Sequence, residues 1–287
     1  MPKKPEPPLK PSPAGTSADT SAVAGTAAFG KFMQVLQLVA DATDAVTVAS
    51  LVRATGFPRP TVHRIVAGLL AERMLVENQQ GVTLALGPRL IQLASRSWGR
   101  SELRLAAVDE LKRLRDLTGE TVHLAVPNGK VGQGSSMVFI EKLESPSAVR
   151  MSSRIGTNVA MHATAVGKAY LAALEPEVLE AQLAGLALPK FTQHTLTTLP
   201  KLRTELQRTR VRGWSVDDEE NEPGIHCFGA VVRGSQGTPL AAISVSTLLF
   251  RQKAQPEQAY VAPLLEVCAA ISQRLVLTPG LASADLL

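Results

Sequence analysis

The chain of 287 residues is poor in cysteine and in aromatic side chains, with two of the former, Cys227 and Cys268, and 4% of the latter. Two thiols make neither a disulfide framework nor a zinc cluster. The five histidines are scattered without metal-ligand spacing, so neither a metal nor another cofactor is expected. Also absent is any run of the ~18 consecutive apolar residues that a membrane span needs. Lys3, Lys4 and Lys10 lead into no apolar segment of the kind a secretion signal carries, which makes the expected location cytoplasmic, away from membranes. Nor is there a GxxxxGK[ST] phosphate loop, a GxSxG nucleophile elbow, an HExxH zinc helix or a CxxC pair. With these routes to catalysis missing, the chain is not expected to be an enzyme.

What is present is length enough for two domains with separate cores, with 45% hydrophobic and 19% charged residues. The net charge of +5 is only mildly basic, and its distribution says more than its size. Between Thr26 and Arg100 eight basic residues (Lys31, Arg53, Arg59, Arg64, Arg73, Arg89, Arg96, Arg100) stand against four acidic ones. The surplus is mainly arginine, the side chain suited to phosphate and guanine.

Residues 1–26, rich in Pro, Ala, Ser and Thr without periodicity, are expected to be a disordered leader. Residues 27–87 read as one small domain. It opens with a helix over AAFGKFMQVLQLVADAT, where Phe29, Phe32, Met33, Leu36, Val39 and Ala40 share a face. TVASLVRATG gives a second helix, with Thr47 as N-cap and Gly56 just past its end. In FPRPTVHRIVAGLLAERM, Val62, Ile65, Val66, Leu69 and Leu70 form one buried helical stripe, and Pro60 suits the first turn. Two short helices about a tight Gly-containing turn make a helix-turn-helix, and LVENQQGVTLALG adds two short strands around a polar turn. Together they predict a winged helix-turn-helix whose polar helix start, Arg59, Thr61, His63 and Arg64, meets double-stranded DNA. The arginines reach guanine or phosphate, Thr61 a phosphate or a thymine methyl, and His63 a phosphate.

Residues 88–118 are expected to form a linker and dimerisation helix bent at Trp98-Gly99. A single winged helix covers one half-site, so a homodimer on a palindromic operator is expected. From 119 to 278 strands alternate with helices. ETVHLAV reads as a half-buried strand through Val122, Leu124 and Val126; SMVFIEKLE, AVRMSSRIG, GWSVDDE and TPLAAISVS are further strands. Helices are expected over 165–174, 202–211 and 256–275, giving an α+β domain on an antiparallel sheet.

Chemistry gathers in that second domain. Ser244 and Ser246 lie two apart in AISVS and so face one side of a strand that is otherwise apolar. ATAVGKA opens a helix with small residues, leaving backbone N–H groups open to an anion. With the acidic run Asp217 to Glu220 and the thiol of Cys227, these groups suit a small carboxylate bearing a carbonyl or hydroxyl. A Cys-dependent enzyme acting on small acids is an alternative, but His226 adjoins Cys227 and on a strand points to the other face, where it cannot serve as base. A constitutive DNA-binding protein whose second domain only oligomerises, with these groups a satisfied polar core, is another.

The stretches GFPRPTVHRIVAGLLAE, LGPRLIQLA, GETVHLAV, MHATAVGKA, KFTQHTLT, GWSVDDEENEPGIHCFGA and AISVS resemble, in order and spacing, the IclR family of bacterial transcriptional regulators. The resemblance covers about Ala27 to Leu275. It implies an N-terminal winged helix-turn-helix, a dimerising linker helix and a GAF-like C-terminal domain that binds an effector, in repressors or activators whose dimers often pair into homotetramers. Carried over by position, the effector pocket falls on Ala165, Val166, Asp217, Cys227, Ser244 and Ser246, and its ligand is a small hydroxy-, oxo-, sugar or aromatic acid. Three departures stand out: Pro60 where serine or threonine is usual, a wing strand VTLALG without an aromatic-basic pair, and a longer loop PNGKVGQGSS after Val126.

Overall fold

The structure is a computed structural model that describes residues 26–78, 80–129 and 135–277, with the side chains of Ser97, Trp98 and Arg100 excepted. The expected leader, apart from Thr26, and most of the longer loop after Val126 lie outside the described residues. The chain forms two compact units that meet in sequence at Ser101 and Glu102.

The first unit runs α1 (Ala27–Asp41), α2 (Val48–Thr55), α3 (Arg59–Ala71), β1 (Leu75–Glu77), β2 (Leu84–Leu86) and α4 (Pro88–Arg100). A capping box starts α2, with Ser50 N donating to Thr47 Oγ1 at 3.1 Å and Thr47 N to Ser50 Oγ at 2.9 Å. Gly56 ends it in the left-handed region at φ +68°. The core gathers Val35, Leu36 and Val39 of α1 with Leu51 of α2 and Val62, Ile65, Val66 and Leu69 of α3. The buried face of α1 is therefore rotated from the expected one: Phe29 and Met33 are 66% and 44% exposed. Phe32 lies half-buried over Gly68, where a β-carbon would stand 3.0 Å from the ring, and this contact turns Val35 inward. In α4, Leu90 packs on this core while Ile91 and Leu93 face outward. The helical region is interrupted at Ser101 rather than at the expected Trp98-Gly99: α4 continues through Gly99 to Arg100, because a lone glycine weakens a helix without ending it.

The second unit comprises α5 (Glu102–Thr118), β3 (Thr121–Asn128), β4 (Ser136–Leu143), β5 (Asn158–Ala160), α6 (Ala165–Ala173), α7 (Pro176–Ala184), α8 (Leu199–Arg212), β6 (Ser215–Asp218), β7 (Ile225–Arg233), β8 (Pro239–Leu248) and α9 (Ala262–Leu277). Its strands form one six-stranded sheet in the order β5-β4-β3-β8-β7-β6, every neighbouring pair antiparallel. One face carries Val122, Leu124, Phe228, Ile243 and Val245 and packs on α5 and α9 through residues such as Leu111 and Leu264. The opposite face meets α6, α7 and α8, where Ala125, Met137, Phe139 and Ala242 pack with Val166, Leu171 and Leu206. The result is an α+β domain with a helical layer on each side of the sheet.

Three local expectations differ. ETVHLAV is buried on both faces rather than one, since β3 is central and helices cover both sides. AVRMSSRIG forms no strand; its carbonyls at Met151 and Ser153 accept from Lys142 Nζ at 2.9 and 2.7 Å, so a side chain replaces a strand ladder. β5, β7 and α7 are additional to the expected elements. The segment Glu257–Leu277 is long and apolar enough to cross a membrane, yet Val261, Leu264, Val267, Cys268 and Ile271 lie in the core against the sheet.

Candidate functional site

The start of α3 presents the first group of expected site residues. Pro58 precedes the helix and Pro60 stands in its first turn, where no N–H is needed. Arg59, His63 and Arg64 are exposed, and Thr61 is half-buried. Arg59 Nε donates to His63 Nε2 at 3.4 Å, one helical turn on, so these two side chains lie along one ridge. The wing turn is shaped by Asn78, whose Oδ1 accepts from Val82 N and Thr83 N at 2.9 and 3.2 Å.

The second group comes together on the face of the larger sheet that meets α6. Register places Ser215, Gly229, Ser244 and His123 side by side across β6, β7, β8 and β3. One step along the strands, Asp217, Cys227, Ser246 and Thr121 form a second row. Strand alternation sends both rows to the same side. Apart from Gly229, all of these residues carry polar or thiol side chains, and those side chains are buried. Cys227 and His226 point to opposite faces: the His226 ring lies tilted against Phe228 of the other core, centroids 4.7 Å apart, and meets Gln252 Nε2 through Nδ1.

Helix α6 starts over the first row. Ser215 Oγ donates to Ala165 O at 2.5 Å, and a β-carbon on Gly229 would stand 2.5 Å from that same carbonyl, so glycine permits the approach. Thr164 caps the helix by accepting from Gly167 N at 3.2 Å, which leaves Ala165 and Val166 to present the first N–H groups. Lys168, fully buried one turn on, pairs with Glu220. Asp217 Oδ1 accepts from Glu220 N at 2.8 Å and Asn221 N at 3.3 Å. A second loop clasps this acidic turn: Thr192 Oγ1 donates to Glu219 O and Thr195 Oγ1 to Glu220 O, each at 2.7 Å.

Burial dominates the electrostatics. It pushes the Asp217 carboxyl up to about 7, against the pull of Lys168, with Glu220 adding to the rise. It raises the Cys227 thiol further from ionisation, an effect Asp217 reinforces, so this sulfur is no activated nucleophile. It holds His123 down to about 3, helped by Lys142. Among the described residues no group of three or more His, Cys, Asp or Glu side chains could hold a metal ion. His123 and Lys168 belong to this cluster and were not singled out as site residues by the sequence, and Glu220 entered only as a member of the acidic run. The one signal was His123 between Val122 and Leu124, a polar residue on the same side as Thr121 in a strand whose partner carries two serines.

Comparison with known proteins agrees with this architecture. Residues 30–79 match the IclR helix-turn-helix domain, and residues 96–273 match the family described as bacterial transcriptional regulator IclR C-terminal. The regulator XynR of Escherichia coli is 32% identical over 219 residues, 76% of this chain and 85% of its own length. The transcriptional repressor IclR of the same organism is 31% identical over 215 residues, 75% of this chain and 77% of its own. Among solved structures, Thermotoga maritima IclR aligns with a TM-score of 0.69 and 28% identity over 86% of this chain and 98% of its own. An IclR homologue from Microbacterium hydrocarbonoxydans complexed with 4-hydroxybenzoate aligns with a TM-score of 0.72 and 26% identity, covering 86% of this chain and 98% of that one. With both the helix-turn-helix unit and the sheet domain matched, this chain belongs to the IclR family of bacterial DNA-binding transcriptional regulators.

Proposed function

We propose that this protein is a cytoplasmic, ligand-responsive regulator, not an enzyme, that binds a palindromic operator as a homodimer or a pair of homodimers. In this reading residues 27–87 hold the DNA-binding domain, 88–118 the dimerising linker and 119–278 the effector domain. Arg59, Thr61, His63 and Arg64 contact DNA, and α4 leaves Ile91 and Leu93 exposed on different sides as apolar side chains available for pairing. The effector is a small hydroxy-, oxo- or sugar acid held by the N–H groups of Ala165 and Val166 and by Asp217, Cys227, Ser244 and Ser246. The observation that carries this is the pair of buried polar rows beneath the start of α6, a costly arrangement in a core unless the groups have partners. Because Asp217 is pushed up to about 7, its carboxyl is largely protonated below neutrality and can donate to a carboxylate. The 4-hydroxybenzoate bound by the Microbacterium relative is an acid of this class.

A thermal-shift panel of glyoxylate, pyruvate, glycerate, gluconate and 4-hydroxybenzoate against wild type and Asp217→Ala tests it. One acid that stabilises wild type alone is the expected result; at about a hundred times its dissociation constant it adds about 2.7 kcal/mol. If no acid acts and DNA binding persists, the second domain serves oligomerisation only.

A further inference from the structure

His123 stands beside Ser244 in the first polar row, buried and stacked on Phe139 with ring centroids 4.4 Å apart. Both ring nitrogens meet hydroxyls: Nε2 lies 2.8 Å from Ser153 Oγ and Nδ1 lies 3.3 Å from Ser246 Oγ. A hydroxyl can donate or accept, so these partners serve either neutral tautomer and the protonated ring as well. His162 in the same domain is held differently, by the carbonyl of Pro189 at 2.9 Å, which accepts only and fixes the proton on Nε2. The surroundings of His123 thus leave its protonation open.

The charges around the ring give that freedom a use. Lys142, on the neighbouring strand, is engaged by the Met151 and Ser153 carbonyls and by Glu144. Lys168 is engaged by Glu220. The other titratable groups near the rows, Cys227 and Asp217, carry no positive charge in either state. An acid anion seated on the serines therefore meets hydroxyls, a thiol, a carboxyl and a neutral imidazole, and no unengaged cation among the described residues. We propose that His123 reads the carboxylate of the bound acid and takes up a proton as the anion enters, so that the site binds anion and proton together. This rests on the acid-binding function proposed for the domain. An anion at contact distance raises the proton affinity of a buried ring roughly a thousandfold, which offsets most of the depression caused by burial.

Isothermal titration of the full-length protein with 4-hydroxybenzoate, pyruvate and glycerate, in two buffers of different ionisation enthalpy at about pH 5.5, counts the protons taken up per acid bound. At that pH Asp217 already holds its proton, its carboxyl being pushed up to about 7. The expected uptake is about half a proton or more per site in wild type and none in His123→Gln, which keeps a hydrogen-bonding side chain but cannot become charged. The glutamine variant still binds the acid, roughly tenfold more weakly. Acid binding without uptake in wild type, or with equal uptake in the variant, overturns the role of His123 and leaves the acid site standing. Failure of every acid to bind wild type removes the acid site itself, and this role with it. His123→Asn serves as second variant; should neither fold, the wild-type proton count decides.

Discussion

Asp217 is a carboxyl placed where its charge is unwelcome. Its folded value of about 7 lies above the ordinary 3.8, so the protonated form favours folding. That contribution is fully present below the unfolded value and is lost as pH rises through the folded one. Asp217→Asn keeps an oxygen for the Glu220 and Asn221 N–H groups. Urea titrations should find it close to wild type near pH 4 and more stable above pH 7 by a few kcal/mol, at about 1.4 kcal/mol per pH unit of the interval. A gap that does not widen with pH would mean that the carboxylate ionises freely. On the DNA side, Arg64→Ala is expected to weaken specific operator binding by about 1–3 kcal/mol if it contacts a base. Equal losses on every DNA sequence, read by fluorescence anisotropy, would mark a phosphate contact. Residues of this kind were legible in unequal measure. Ser244 and Ser246 announced themselves by spacing, because two hydroxyls at strand period in an apolar run must share one side of the sheet and need partners there. His123 did not, because its partners Ser246 and Ser153 lie 123 and 30 positions away in the chain.

At the scale of elements, the contact between α6 and the sheet depends on the absence of a side chain. Gly229→Ala would press a methyl against the Ala165 carbonyl and Ser215 Oγ, at 2.5 and 2.6 Å. Neither the strand nor the helix start can yield alone, so the variant should lose about 1–3 kcal/mol of stability and any thermal shift from acids. Retention of both would show that α6 is free to ride outward. A gentler change, Thr47→Ala, removes the capping box of α2 and should cost about 1 kcal/mol in denaturant titrations without touching the acid response. The winged helix was readable because its signals are local: Thr47, Gly56, Pro60 and the stripe from Val62 to Leu69 each declare a boundary or a face within a few residues. The sheet domain was less so. Alternation in ETVHLAV shows that one face is buried but cannot reveal helices arriving on the other. AVRMSSRIG has strand-like composition, yet its backbone finds the ammonium of Lys142 instead of a neighbouring ladder.

For the whole molecule, regulation requires that acid and operator favour different arrangements of one protein. A coupling of about 1–3 kcal/mol changes operator affinity by roughly 5- to 150-fold, and by thermodynamic necessity operator DNA changes acid affinity by the same factor. Titrating the acid with and without operator duplex should return that factor. Unequal factors would point to a second acid site, and equal affinities to a ligand that regulates nothing. Within the sheet domain, one strand links the polar rows to α5. Val122 and Leu124 pack in the core with α5, while Thr121 and His123, which alternate with them, belong to the polar rows. Both sets hang from one backbone, so whatever tilts the peptide planes of β3 on the polar side must also move the apolar knobs on the other. The helix resting on those knobs begins at Glu102, the residue at which the second unit starts in sequence. The strand is thus a two-sided keyboard, struck from one face and heard on the other.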